Sequence, residues 1–259
     1  MRLLFVGDVV GGLGRRALRA LLPELRERYE LDFVIANGEN AAGGVGITPK
    51  VADQLFAVGV DVITLGNHAY RHRDVYGYLD DQPNILRPAN FLASQPGHGA
   101  CVVARGGIRL GVVNLSGNLF LKAGRAAFPE ADTQLEKLDG RVDHILVDMH
   151  AEATSEKVGM GWYLDGRVTA VVGTHTHVPT ADARVLPGGT AYITDVGMTG
   201  PRGGVIGVNR RQAVEALVTQ LPVRFEVSEE DPWLMAVLIT ASQPMRADDI
   251  EPVLRAAPA

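Results

Sequence analysis

The chain has one cysteine, Cys101, among 259 residues, which excludes an internal disulfide framework and fits a reducing cytoplasm. Its neighbours Ala100, Val102 and Val103 mark it as a buried structural thiol rather than a nucleophile. No apolar run is long enough to span a bilayer, so no membrane partner is expected. The opening Met1-Arg2-Leu3-Leu4-Phe5-Val6-Gly7-Asp8 is too short an apolar stretch, and too soon acidic, for a signal peptide. Positive charge is in deficit: 25 Lys and Arg against 30 Asp and Glu give a formal net charge of −5. Broad electrostatic binding to nucleic acid or anionic membrane is thereby disfavoured, and only a local basic rim is left open. Repeats of fixed period, low-complexity tracts and dividing linkers are all missing. What remains is 46% hydrophobic and 21% charged, ample for a core and sized for one α/β domain spanning 1–259.

Apolar runs bounded by turn residues predict strands at 3–6, 33–36, 62–65, 85–87, 101–104, 110–114, 145–147, 169–172, 191–194 and 234–240. Leu18, Leu21, Leu22 and Leu25, at three- and four-residue spacing, predict a helix over 15–29. Thr48 and Pro49 read as the cap and first residue of a helix continuing over 50–58. Further helices are expected over 132–138, 152–163 and 210–221. Gly106-Gly107 turns the run 101–114 into a hairpin, so the sheet system is mixed. About ten strands favour two packed sheets flanked by helices over one open sheet.

Five short segments carry more metal-binding side chains than a fold alone needs. They are Gly7-Asp8, Asn37-Gly38-Glu39-Asn40, Gly66-Asn67-His68, Met149-His150 and Gly173-Thr174-His175-Thr176-His177, each following a predicted buried strand. Four of the seven histidines fall in them. Singly, each has an ordinary explanation: Asp8 as a cap or turn residue, Asn67-His68 as a turn, His150 as a satisfied core histidine. His175 and His177, at i and i+2 in an extended segment, would point the same way. Five strand ends that deliver carboxylate, amide and imidazole groups to one sheet edge suit a pair of first-row metals and a phosphoesterase.

Other motifs lose to this reading. Gly12-x-Gly14-x-x-Ala17 formally matches a dinucleotide fingerprint, but Asp8 puts an anion where the pyrophosphate would sit. The glycine-rich 43–50 stretch lacks the Gly-Lys-Ser/Thr of a phosphate-binding loop. Arg15 and Arg16 are read as a solvated first helical turn with a second option of touching substrate phosphate. Asn114 and Asp195, also at strand ends, are candidates to orient ligand imidazoles. His72, His98 and His144 lie outside every motif.

The order Asp, Glu, Gly-Asn-His, His, Gly-x-His-x-His is similar to that of the calcineurin-like metallophosphoesterases. The fuller set G-D-V-V-G-x-x-G-R, N-G-E-N-A-A-G-G, G-N-H, D-M-H-A-E, G-T-H-T-H-V and T-D-V-G-M-T-G-P resembles the YmdB-like branch and spans residues 7–201. The resemblance implies a four-layer α/β/β/α sandwich of two mixed sheets with a dinuclear centre and phosphodiesterase activity on 2′,3′-cyclic nucleotides or similar diesters. Two departures from the superfamily pattern stand out. Val10 occupies the position of a ligand histidine, and Glu39 replaces the bridging aspartate, leaving Asn40 as the substitute ligand. Carried over by position, Asp8, Glu39, Asn40 and His177 would hold one metal. Glu39, Asn67, His150 and His175 would hold the other, with Glu39 bridging.

Such a pair can clamp a phosphate and activate a shared water as hydroxide for in-line attack. His68, beside a ligand but not needed as one, is then free to act as general acid. Oxygen and nitrogen ligation without thiolate suits iron or manganese, with zinc or magnesium as alternatives. The expected partner is a small phosphorylated substrate such as a cyclic nucleotide; an RNA-related partner and a homo-oligomer are both compatible. The alternatives are a phosphomonoesterase with the same metals, a nuclease, and a metal-binding regulatory protein of RNA turnover.

Overall fold

The computed structural model describes residues 1–258. Along the chain run β1 (Arg2–Val6), β2 (Asp8–Val9), α1 (Gly11–Arg28), β3 (Phe33–Asn37), α2 (Pro49–Ala57), β4 (Val62–Thr64), α3 (Val75–Asp81) and β5 (Ile85–Leu86). Then follow β6 (Ala100–Arg105), β7 (Ile108–Ser116), α4 (Ala127–Leu138), β8 (His144–His150), α5 (Thr154–Tyr163), β9 (Ala170–Thr174), β10 (Arg184–Val185) and β11 (Ala191–Ile193). The last elements are β12 (Met198–Pro201), α6 (Arg210–Thr219), β13 (Pro232–Thr240) and β14 (Asp249–Ala256).

Two mixed sheets result. The first runs β2-β12-β13-β1-β3-β4-β5, with β14 on the other edge of β13. The second runs β10-β11-β9-β8-β7-β6. Strand alternation builds the layers. In β1 and β3, Leu3, Phe5, Phe33 and Ile35 face the second sheet and meet Leu110, Val112, Leu146, Ala170 and Val172. Their neighbours Leu4, Val6, Val34 and Ala36 face outward onto Leu18, Leu22 and Leu25 of α1 and Leu55 of α2. On the far side, Val113, Ile145, Val147 and Val171 pack on Ala131, Leu138 and Met160 of α4 and α5. Three apolar seams therefore separate four layers, the α/β/β/α sandwich expected from the resemblance. The 101–114 hairpin forms as β6 and β7, with Gly106 at φ 59° and Gly107 at φ 85°, the positive pair a tight hairpin turn requires.

Two departures position the site. Asp8 does not end the first strand. The chain leaves the β1–β13 pairing at Gly7, and β12 enters between β13 and Asp8–Val9, pairing Met198 with Asp8 and Thr199 with Val9. A Cβ at Gly7 would lie closer than 3.0 Å to the Gly197 carbonyl, so only glycine permits this split. The second concerns His175 and His177. They are not in an extended segment: β9 ends at Thr174, and both histidines are left-handed, at φ 101° and φ 66°. Their convergence comes from two strained turn residues, not from strand alternation.

Candidate metal centre

All eight predicted residues reach one place, formed by β2 and the carboxyl ends of β3, β4, β8 and β9 in two facing sheets. Ligands of α/β sheets bind at such ends. His150, fully buried at the end of β8, is the hub. Its Nε2 lies 3.1 Å from Asn67 Oδ1, 3.2 Å from Glu39 Oε1 and 3.1 Å from His175 Nδ1. One ring nitrogen cannot hydrogen-bond three partners at once, whereas a cation among them satisfies all four. Glu39, His150 and His175 offer ligand atoms within 4.8 Å of one another.

The second group adjoins it. Asp8 is fully buried; its Oδ2 accepts the His175 backbone N–H at 3.1 Å, and its Oδ1 has no hydrogen-bond partner among the described residues. His177 Nε2 lies 3.9 Å from that orphaned oxygen and 3.1 Å from the Asn40 amide. Asn40 turns Nδ2 toward Glu39 Oε1 at 3.2 Å and Oδ1 toward His68 Nδ1 at 2.9 Å. Its two amide ends are nearly isosteric, so a half-turn presents oxygen where nitrogen now sits. His68 stays at the rim, about one-third exposed, with its backbone N–H on Glu39 Oε2 at 3.1 Å.

Each of the three buried-side imidazoles has its outer nitrogen on an acceptor. His150 Nδ1 is 2.9 Å from Thr174 Oγ1, and that hydroxyl donates onward to Asp148 Oδ1 at 2.7 Å. His175 Nε2 is 3.1 Å from Glu152 Oε2, and His177 Nδ1 is 2.8 Å from the Ile206 carbonyl. A proton held on each outer nitrogen leaves the inner lone pair for a cation, the usual way a second layer fixes a metal-binding tautomer. Asp148 is pinned by Thr64 Oγ1 at 2.5 Å and Asn37 Nδ2 at 3.1 Å, and burial raises its carboxyl above the ordinary range.

The electrostatics are those of a pocket short of positive charge. Burial would lower the His150 imidazole, but the Glu39 carboxylate, then Asp8, override it and push it up to about 9. Burial would raise Glu39, and His150 and His68 hold it well below the carboxylate range. Burial raises Asp8 to about 6, against the pull of His177. His175 falls to about 4 through burial and the neighbouring His150. The raised His150 imidazole shows that the carboxylates around it favour a positive charge at this spot. The orphaned Asp8 Oδ1 and the space over Gly66, where a Cβ would come within 3.0 Å of His150 Nε2 and Glu39 Oε2, fit a bound metal.

Some expectations are corrected. Asn114 orients no imidazole: its amide donates to the Leu65 and Leu86 carbonyls at 2.6 and 2.9 Å and ties β4 to β5. Asp195 accepts from buried Lys157 Nζ at 2.7 Å and from Thr176 N and Oγ1 at 3.1 and 2.7 Å. It holds the loop between the two histidines, not a ring. Arg15 lies in the second turn, α1 having begun at Gly11, and donates to the Ala41 carbonyl. Glu152, Thr174, Asp148 and Lys157 carry no role that the motifs alone assign. The i, i+2 spacing of Asp148 and His150 on one strand face was the available signal.

A cavity of about 320 Å³ opens over these groups, its walls including Val10, Gly44, His68, Ile206, Val208 and Val227. No helix among the described residues is long and apolar enough to cross a membrane.

Known proteins can be compared with this chain along its whole length. A Bacillus subtilis protein named 2′,3′-cyclic-nucleotide 2′-phosphodiesterase is 48% identical over 255 residues, 98% of this chain and 97% of that protein. The crystal structure of a hypothetical protein from Thermus thermophilus superposes with a TM-score of 0.93 at 41% identity and covers 100% of both chains. A Mycoplasma pneumoniae structure described as a novel phosphatase gives 0.91 at 34% identity, covering 99% of this chain and 94% of that one. The family model for YmdB-like proteins matches residues 4–253, and the chain belongs to that family.

Proposed function

We propose that the chain is a metal-dependent phosphodiesterase that hydrolyses 2′,3′-cyclic nucleotides. The observation that carries this is the His150 hub, where three donor groups crowd one ring nitrogen while the outer nitrogens of His150, His175 and His177 are already satisfied. The B. subtilis relative's name supports the substrate class. In this reading Asp8, Glu39, Asn40 and His177 would hold one metal, and Glu39, Asn67, His150 and His175 would hold the other. Iron or manganese suits the donors, which include no thiolate. When bound, such a pair neutralises the phosphate and acidifies water for in-line attack at phosphorus.

The chain's own groups do the rest. Val10, Ile206, Val208 and Val227 offer an apolar wall for a nucleoside beside the polar floor. Water adds to phosphorus, the P–O2′ bond breaks, and the departing 2′ oxygen needs a proton. His68 stands at the rim with its ring within 2.9 Å of Asn40 Oδ1 and 3.4 Å of Glu39 Oε1, placed to deliver that proton. A second reading, phosphomonoester hydrolysis, draws on the Mycoplasma neighbour's description. Turnover of a 2′,3′-cyclic nucleotide is compared with that of a chromogenic diester and the monoester of the same alcohol, with metal content measured on the same sample. Faster diester cleavage, with a nucleoside 3′-phosphate as product, is expected. Faster monoester cleavage at saturating metal overturns the reading in favour of a phosphatase.

A further inference from the structure

A second cavity of about 360 Å³ lies between α1 and the C-terminal end of α2. Arg15, Arg16 and Arg19 of α1 face Gln54, Leu55 and Val58 across it. Among the described residues none of these three arginines is ion-paired; every arginine salt bridge is made elsewhere in the chain. Two of the guanidiniums approach each other: a Cβ built on Gly12 would sit 3.4 Å from Arg16 Nη1 and 3.9 Å from Arg15 Nη2. They do so at the amino end of an 18-residue helix whose first turn holds no acid, where the helix dipole adds further positive charge. Arg15 is half-buried, and burial, then the neighbouring Arg16, pulls its pKa down. On a chain of net charge −5, three such arginines around one cavity call for an anion.

The cavity is tied to the metal centre by adjacent carbonyls. Gly11 N–H donates to the Asn40 carbonyl at 2.9 Å, and Arg15 donates to that of Ala41, the next residue. Gly44, at the tip of the same loop, lines the metal cavity. We propose that Arg15, Arg16 and Arg19 form a second phosphate site, which takes the 5′-side phosphate of a substrate whose cyclic phosphate lies at the metal centre. This rests on the cyclic-diester reading above. The preferred substrate then carries two phosphates, with the second as either a terminal 5′-phosphate or the internucleotide linkage of an oligoribonucleotide ending in a 2′,3′-cyclic phosphate. Guanidiniums recognise either through paired, charge-assisted hydrogen bonds.

The test compares kcat/KM for a 2′,3′-cyclic nucleotide, the same compound with a 5′-phosphate, and a dinucleotide ending in the cyclic phosphate. Wild type is expected to favour at least one two-phosphate substrate by about tenfold or more, and raised salt should erode the advantage. Arg16→Gln with Arg19→Gln, both exposed, should bring the ratio near one; reading a ratio cancels any general loss. Gain by the 5′-phosphorylated mononucleotide assigns the site to a terminal phosphate, and gain by the dinucleotide alone assigns it to the linkage. Equal kcat/KM for all three in wild type overturns the proposal. A turnover-independent arm measures binding of a fluorescent 5′-phosphorylated dinucleotide 3′-phosphate to chelator-treated protein. If wild type cleaves no cyclic ester, the function reading fails by itself. Weaker binding by the double variant then still upholds the arginine site, and unchanged binding removes it.

Discussion

Gly66 precedes the Asn67-His68 pair and faces the centre of the proposed metal site. A Cβ there would lie closer than 3.0 Å to Nε2 and Cδ2 of His150 and to Oε2 of Glu39. Neither neighbour yields cheaply. The His150 ring is fully buried and tied to Thr174, and Glu39 is 1% exposed and bonded to three partners. Gly66→Ala therefore puts a methyl group into the space where the donor atoms meet. Overpacking of this kind costs about 1–3 kcal/mol. At roughly 2–4 °C per kcal/mol for a chain of this size, the chelator-treated variant should melt several degrees below wild type. The sharper effect is on the metal increment. A cation at a hundred times its dissociation constant stabilises by about 2.7 kcal/mol, hence on the order of 5–10 °C for wild type. That increment should vanish in Gly66→Ala. Calorimetry with chelator and then with manganese, alongside elemental analysis, measures both. A variant that keeps the wild-type increment and its full metal content refutes this placement of the donors.

Glu39→Gln should lower metal content at both positions, since a neutral amide bridges two cations poorly; elemental analysis retaining roughly two ions per chain would contradict the shared role. His68→Ala should keep the metals and lose roughly 10²–10⁴-fold on a cyclic nucleotide, with a much smaller loss on a nitrophenyl diester whose leaving group needs little protonation. Equal losses on both would point to charge stabilisation instead. Glu152→Gln removes the carboxylate that fixes His175 and should weaken metal affinity by about 10–100-fold, read by competition with a chelating dye. Burial pushes the Cys101 thiol up to about 12, and its thiolate therefore grows only as pH rises toward that value. Alkylation of the native protein at pH 8 should run roughly a thousandfold slower than after denaturation.

The strands that carry the site were legible because each is a short β-branched or aliphatic run stopped by Gly, Asn or Asp, and such runs fold as buried strands in almost any α/β context. The missed elements lack that signature. β12 reads Met-Thr-Gly-Pro and exists because Gly7 lets it enter beside Asp8. β14 is an edge strand that turns only Ile250 and Val253 inward and tolerates Pro252. Identity and order of the candidate ligands were readable, but their directions were not. Asn114, Asp195 and Asp8 share one local pattern, a polar residue closing an apolar run. Asn114 ties β4 to β5, Asp195 meets a buried lysine from α5, and only Asp8 faces the centre. The left-handed turns at His175 and His177 were hidden for a similar reason. They are held by Asp195 and Ile206, which lie far along the chain.

The two sheets contribute unequal chemistry to the same spot. Asp8, Glu39, Asn40 and Asn67 come from the first sheet and bring the oxygens; His150, His175 and His177 come from the second and bring the imidazoles. Neither sheet has a complete donor set, so affinity for a cation exists only while the two are docked. A cation bound there would act as a rivet through the sandwich, adding its binding energy to the apolar packing of the seam lined by Phe5, Ile35, Leu146 and Val172. Separation of the layers and release of the ion become one event, in which opening the seam empties the site and filling the site locks the seam.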